Sequence, residues 1–203
     1  MTAASEPASD GRARRAERSG HAIVEAVIAL VGEGILEPTA QQVATRAGVG
    51  IRTVFRRFSD MESLFAEMSA RIQTGAVPLL NGTEPAGDLR RRALDMVGRR
   101  VAFFERVAPY KRASNLKRWR SPFLRAGHAQ LVRGLRDELL RWLPELRTAA
   151  AGLIEALDLA TSFEAWDRLR TEQRLGRERA QATMEHMVLR LVSELAREGG
   201  RRG

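Results

Sequence analysis

The side chains in this sequence that could do chemistry are arginines. Arg52, Arg56 and Arg57 crowd one short stretch, IRTVFRR over 51–57, with Thr53 between them. A guanidinium is always charged and carries five N–H donors in a planar fork. It can bind phosphate, and it can pair in bidentate fashion with the edge of a guanine. That chemistry is recognition and not bond-making. Bond-making groups are scarce: the chain has no Cys, and its three His (His21, His128 and His186) fall in no metal-ligand spacing such as H-x-x-x-H. It has no Gly-rich phosphate loop and no G-x-S-x-G. Glu185 and His186 read as an exposed polar pair on a helix. These features predict a protein that is not an enzyme and uses no metal and no cofactor.

The elements that must position the arginines lie in Thr39–Phe58, TAQQVATRAGVGIRTVFRRF. Thr39 is a good N-cap for a short helix running to about Arg46. Ala47-Gly48-Val49-Gly50 is a tight turn, in which Gly48 can take the left-handed conformation. A second short helix runs from about Ile51 to Arg57. Ala44 is small where the two helices cross, and Val43, Val49, Val54 and Phe58 supply an apolar wedge. Gly50, Ile51, Arg52, Thr53, Phe55, Arg56 and Arg57 are left facing outward. A helix of this kind fits the major groove of DNA. With Thr39, these residues are the candidate DNA contacts. The run of Arg12, Arg14, Arg15 and Arg18 has two readings, a solvated tail and an arm touching phosphate or the minor groove.

The rest of the chain is read as all-α. With 203 residues and 44% hydrophobic content, it can bury a core without a staple. No apolar run approaches the length of a membrane span, and no secretory signal core opens the sequence. The lack of Cys fits a reducing cytosol, so a cytoplasmic location and no membrane partner are expected. Residues 1–14 read as a disordered tail and 15–77 as a first domain, with its paired helices at 39–58. The Pro- and Gly-containing stretch 78–87 reads as a junction, and 88–200 as a second helical domain. Helices are expected at about 88–107, 110–118, 121–143, 147–174 and 177–198, punctuated by Pro109, Pro122 and Pro144.

Charge is unevenly distributed. Residues 1–80 hold nine Arg against nine acidic residues, and 148–203 hold nine basic against nine acidic. The whole net charge of +9 therefore lies in 81–147, with 16 basic and seven acidic residues. From Arg106 to Arg136 there are nine basic residues and no acidic one. An anionic partner is implied. Arg106, Lys111, Arg112, Lys117, Arg118 and Arg120 are expected to form a DNA-facing belt. A pocket mouth and a plain solvated surface stay open as the other readings.

Ile23–Leu64 resembles the DNA-binding domain of the TetR family of bacterial transcriptional regulators. The resemblance rests on Thr39, Ala47, Gly48, Val49, Thr53, Phe58, Glu62 and Leu64. Gly50, Phe55, Met61 and Arg57 depart from the family's usual Ser or Thr, Tyr, Lys and His, which implies altered phosphate contacts and operator preference. The family implies an all-α fold: an N-terminal helix-turn-helix DNA-binding domain followed by a helical effector-binding and dimerisation domain. It implies a homodimer on a palindromic double-stranded operator, acting in transcription regulation as a ligand-responsive repressor released by a small-molecule effector, apolar or anionic. The alternative is a DNA-binding regulator or architectural protein without an effector. On this reading Phe103, Phe104, Tyr110, Trp119, Phe123, His128, Trp142 and Phe163 are candidate pocket liners. Leu153, Leu157, Ala160, Met184, Met187, Val188 and Leu191 are candidates for the dimer interface, with ordinary core as the competing reading for both sets.

Overall fold

Apolar residues recurring every three to four positions drive helices along the whole chain. The computed structural model describes residues 8–200, and among these there is no strand. The helices are α1 (Ala8–Gly32), α2 (Ala40–Ala47), α3 (Ile51–Arg57), α4 (Met61–Ala76), α5 (Pro78–Asn81), α6 (Leu89–Arg118), α7 (Pro122–Trp142), α8 (Ala151–Ala160), α9 (Phe163–Asp167) and α10 (Arg177–Gly200). A 3-10 turn, Pro144–Thr148, precedes α8, and a π turn, Arg168–Glu172, comes after α9. No helix among the described residues is long and apolar enough to cross a membrane. No group of three or more His, Asp or Glu among them is placed to hold a metal.

The contacts divide the chain into two units. The first takes the N-terminal residues through Ile72 together with Pro109–Gly127. Its core is built from Ile23, Val27 and Val31 of α1, Val43 and Ala44 of α2, Val54 of α3, Leu64, Phe65 and Met68 of α4, and Ala113 of α6. Gly48 ends α2 in the left-handed region, at φ 65° and ψ 32°, with its N–H turned back to the carbonyls of Ala44 and Thr45. The Val49 N–H also reaches the Ala44 carbonyl, at 3.0 Å. Asp60 caps α4, accepting from the Ser63 N–H at 2.7 Å, and this bond holds its carboxyl below the usual range.

The second unit takes Gln73–Ala108 and the residues from His128 onward. Phe103, Phe104, Leu139, Trp142, Leu157, Phe163, Trp166, Met184 and Val188 are buried in it. Phe104 meets Phe103 and Phe163 edge to face, with centroids 5.8 and 5.7 Å away. An arginine lies among these apolar groups. Arg100 is fully buried, and its Nε donates to Glu138 at 2.8 Å. Its Nη1 donates to the Thr161 carbonyl at 3.0 Å and to the Thr161 Oγ1 at 2.6 Å. Its Nη2 donates to the Leu135 carbonyl. One side chain thus ties α6 to α7 and to the end of α8. Burial pushes the Glu138 carboxyl above the usual range, and the Arg100 charge opposes the shift.

The structure departs from the sequence expectations at four places. Pro109 does not split α6, which runs unbroken through it. Proline removes one amide and crowds one carbonyl, yet Val107, Ala108, Lys111 and Ala113 around it are all buried, and their packing outweighs that loss. The division between the two units falls at this proline, so Pro109–Gly127 groups with the N-terminal residues and not with 88–200 as a single block. The helix expected over 147–174 is broken at Thr161 and Ser162. The Thr161 hydroxyl donates to the Leu157 carbonyl, and the Ser162 hydroxyl accepts from the Ala165 N–H to start α9. Both are short polar side chains competing with the helix ladder. Finally, the tail expected over 1–14 is already helical from Ala8; residues 1–7 lie outside those described.

Two substitutions test the roles of Arg100 and Gly48. Arg100→Met should cost about 3–5 kcal/mol at neutral pH, because it leaves a buried carboxylate without its partner. The folded-state pKa of Glu138 lies above its unfolded value, so its ionisation destabilises the fold as pH rises through that pKa. The deficit of Arg100→Met should therefore be smaller in urea melts at pH 5 than at pH 8. Gly48→Ala should cost about 1–2 kcal/mol, from the left-handed backbone alone, since no atom lies within 4 Å of the added Cβ.

Candidate nucleic-acid interface

The geometry starts at Thr39. Its Oγ1 accepts from the Gln42 N–H at 3.2 Å, while the Gln42 side chain accepts from the Thr39 N–H at 2.8 Å. This reciprocal capping box fixes the start of α2. Its sequence signal is T-x-x-Q, of which the threonine alone was expected to act. Arg46, at the other end of α2, forms a bidentate fork on Glu33 of the α1–α2 connection, with both distances 2.7 Å. The fork holds the Glu33 carboxyl below its usual range. Nothing in local spacing announces this pair.

After the Gly48 turn, α3 anchors itself through one fully buried residue, Val54. Everything else on it faces out or lies at the rim. Gly50, Arg52, Arg56 and Arg57 are exposed and Thr53 is half-buried. Ile51 and Phe55 stand 39% and 49% exposed, a high value for apolar groups that a core could have absorbed. Arg52, Arg56 and Arg57 make no hydrogen bond or ion pair among the described residues, in contrast to Arg46. Arg57 lies along α1, with its Nε 3.8 Å from the position of a Cβ at Gly20. The eight candidate DNA contacts are therefore brought together on one short helix and the N-cap of the helix before it. Donors without internal partners, beside apolar groups that could meet a thymine methyl, are what direct readout requires.

Other expected contacts fall elsewhere. Lys111 is buried, with Asn115 at 3.4 Å, and cannot line a DNA-facing belt. Lys117 pairs with Glu37 at 2.8 Å and lies 5.5 Å from the centre of the Phe65 ring, so it too is engaged inside the unit. Of the belt residues, Arg106 and Arg120 are exposed. In the N-terminal run, Arg14, Arg15 and Arg18 are exposed on the helical first turns of α1 and not on an extended arm; the side chain of Arg12 lies outside the described residues.

The eight candidate pocket liners do not converge. Phe103, Phe104, Trp142 and Phe163 are buried in the second unit. Tyr110 packs on the core of the first unit, and His128 is half-buried. Trp119 and Phe123 are 76% and 73% exposed. Aromatic type signals burial or contact equally well, and here most of these residues went to the core. A cleft of about 300 Å³ in the second unit lies instead among Leu135 and Arg136 of α7, Glu155, Asp158 and Leu159 of α8, and Ser162. Of the dimer candidates, Leu153, Leu157, Met184 and Val188 are buried within the chain, because α8 and α10 pack on each other. Residues sealed in this way cannot also meet a partner. Ala160, Met187 and Leu191 keep partial exposure, and Leu159, not among the candidates, is 69% exposed.

Residues 23–68 match the family model for bacterial regulatory proteins of the tetR family. No curated protein matches the chain in sequence. Among solved structures, a transcriptional regulator from Rhodococcus sp. Rha1 is similar at a TM-score of 0.66 and 19% identity, over 88% of this chain and 96% of that one. A structure assigned to the TetR-family transcriptional regulators, from Mesorhizobium loti MAFF303099, gives a TM-score of 0.65 at 16% identity, over 88% of this chain and 97% of that one. The match includes the capped, Gly-turned helix pair that presents Arg52, Arg56 and Arg57, and 88% of the chain shares the fold of these two proteins. Residues 23–68 are thus similar to the tetR family of bacterial regulatory proteins, and the chain shares its all-helical fold with these solved regulators.

Proposed function

We propose that the protein is a homodimeric repressor that sits on a palindromic operator and is released by a small-molecule effector, acting in the cytoplasm. The observation that carries this reading is the exposed face of α3, where three arginines have no partner among the described residues. Arg52 and Arg56 take base edges or phosphates, Thr53 and Thr39 lie at the backbone, and Ile51 and Phe55 make apolar contacts. A single short helix reads only a few base pairs, so two copies on half-sites about 34 Å apart would supply the specificity. The partly exposed Leu159, Ala160, Met187 and Leu191 are the residues available for pairing.

Coupling to an effector would run through α6, whose residues belong to both units. In the first unit α6 is held at three points. Tyr110 Oη lies 3.2 Å from the position of a Cβ at Gly32, Ser114 bonds Ser69 at 2.7 Å, and Lys117 pairs with Glu37 two residues before Thr39. An effector that binds one position of α6 better than another would shift the population of DNA-competent dimers.

Fluorescence anisotropy with duplexes from the DNA flanking the gene, and with shuffled controls, tests the proposal. Tight binding to one palindrome is expected, with Arg52→Ala and Arg56→Ala each costing about 1–3 kcal/mol. Equal, salt-sensitive binding of wild type and variants to every duplex would remove α3 as the reader. Lys117→Met should leave α3 intact but loosen the α1–α2 connection, lowering operator affinity less than Arg52→Ala does in the same titration.

A further inference from the structure

The corner where α6 turns into α7 carries the two most exposed large apolar side chains of the described residues, Trp119 and Phe123. Leu116, Trp119 and Phe123 are 56%, 76% and 73% exposed, all within eight positions of sequence. Together they present roughly 400 Å² of side-chain surface, the size of the largest apolar patch on a typical monomer, which is often functional. Scattered exposure of single apolar residues is ordinary, but three large ones on one tight corner are not.

The corner is pinned and not loose. The Arg120 and Ser121 N–H groups both reach the Lys117 carbonyl, at 3.1 and 3.2 Å. Ser121 is fully buried, and its hydroxyl accepts from the Leu124 N–H at 3.4 Å. Leu124 is buried, and Arg125 donates to the Trp119 carbonyl at 3.0 Å. The ring of Trp119 is therefore offered to solvent from a fixed backbone, so docking would cost little ordering entropy.

Charge selects the kind of partner. The half-buried Arg118 guanidinium lies over the Trp119 ring at 4.9 Å, with its Nη1 turned inward and its charge beside the exposed aromatic face. Arg120 and Arg125 are exposed beside it. No acidic residue lies between Arg106 and Arg136, and the lysine at this corner, Lys117, is already paired with Glu37. Trp, Phe and Arg together, without a free lysine, are the composition of protein-interface centres. A symmetric contact with a second copy would set arginines against arginines. We propose that this corner docks an acidic amphipathic helix of a partner protein, with its apolar stripe on Leu116, Trp119 and Phe123 and its carboxylates on Arg118, Arg120 and Arg125. Helix-on-patch recognition of this sort reads apolar anchors at three-to-four spacing.

Trp119 itself is the probe, because Trp142 and Trp166 are buried, at 1% and 0% exposure. The titrant is a synthetic helical peptide of about 20 residues, with Leu and Phe at i, i+3, i+4 and i+7 and Glu elsewhere. A saturable blue shift of tryptophan emission is expected, absent in Trp119→Phe. With the peptide dye-labelled, Phe123→Ala and the double variant Arg118→Glu/Arg120→Glu should each weaken binding about tenfold or more. Unchanged thermal melts of these surface variants keep the comparison valid. Equal binding of a Lys-for-Glu peptide, or no saturable shift with the Glu peptide, overturns the proposal. So does a shift produced by phosphatidylglycerol vesicles or by duplex DNA in its place. A shift that grows with protein concentration alone, with a sedimentation mass that falls in Trp119→Ala, would make the corner a contact between copies.

Discussion

A seven-residue helix cannot hold itself together in water, and the DNA-reading face proposed for this protein rests on one. Nucleating a helix fixes several residues for a single hydrogen bond, so segments this short are ordered by their neighbours or not at all. α3 has one fully buried residue, Val54, and a glycine for an N-cap. Its order is therefore borrowed. The capping box of Thr39 and Gln42 sets α2, the left-handed Gly48 sets the angle at which the chain leaves it, and the α1 and α4 core receives Val54. Because so little of α3 is needed for anchoring, most of its surface can be turned outward.

The arginines sort by what surrounds them and not by where they fall in the sequence. Arg100 sits in the second unit's interior, where four bonds to Glu138, Thr161 and Leu135 offset its desolvation. Arg46 is forked on Glu33, and Arg136 on Glu155 and Asp158. Exposed pairs of this kind contribute about 0–1 kcal/mol, so their effect is mainly to fix geometry. Among the described residues, Arg52, Arg56 and Arg57 have no such acceptor. Net charge points to an anionic partner only in outline, whereas the pattern of filled and unfilled guanidinium forks is what supports placing it on α3. That is why the reading face is proposed for the neutral N-terminal third and not for the strongly basic middle.

Where local chemistry decides the structure, the sequence is legible. Thr39, Gly48 and Asp60 act at the positions their types require, because caps and turns are settled within four residues. The outward set on α3 comes from helical periodicity once Val54 is assigned inward. Longer-range competition is not legible in the same way. Pro109 reads as a breaker, yet burial of its neighbours on α6 prevails. Phe104 and Trp119 are both aromatic, and nothing local says that one is sealed in a core and the other 76% exposed. Leu153 and Met184 lie on apolar stripes that could face a partner copy or each other; α8 and α10 pack together, and the stripes close on themselves. The Arg100–Glu138 pair joins residues 38 positions apart, so no spacing rule could have found it.

The same distinction bears on how the two units could communicate. α6 has 30 residues, about 45 Å of helix, and contributes to both units with Pro109 at the division. Proline leaves one carbonyl without its usual amide, so the helix is softest where stiffness would transmit most. The residues C-terminal to Pro109 are firmly held: Ala113 is in the first unit's core, Ser114 bonds Ser69, and Lys117 bonds Glu37. A shift of α6 before the proline can reach the reading helix only if the residues beyond it move as one body with α1 and α4. Those bonds make such a body. On the proposed ligand-released reading, an effector in the second unit would need no contact with α2 or α3. It would need only a preference between two positions of α6, and the size of that preference would set the limit on how far operator binding could change.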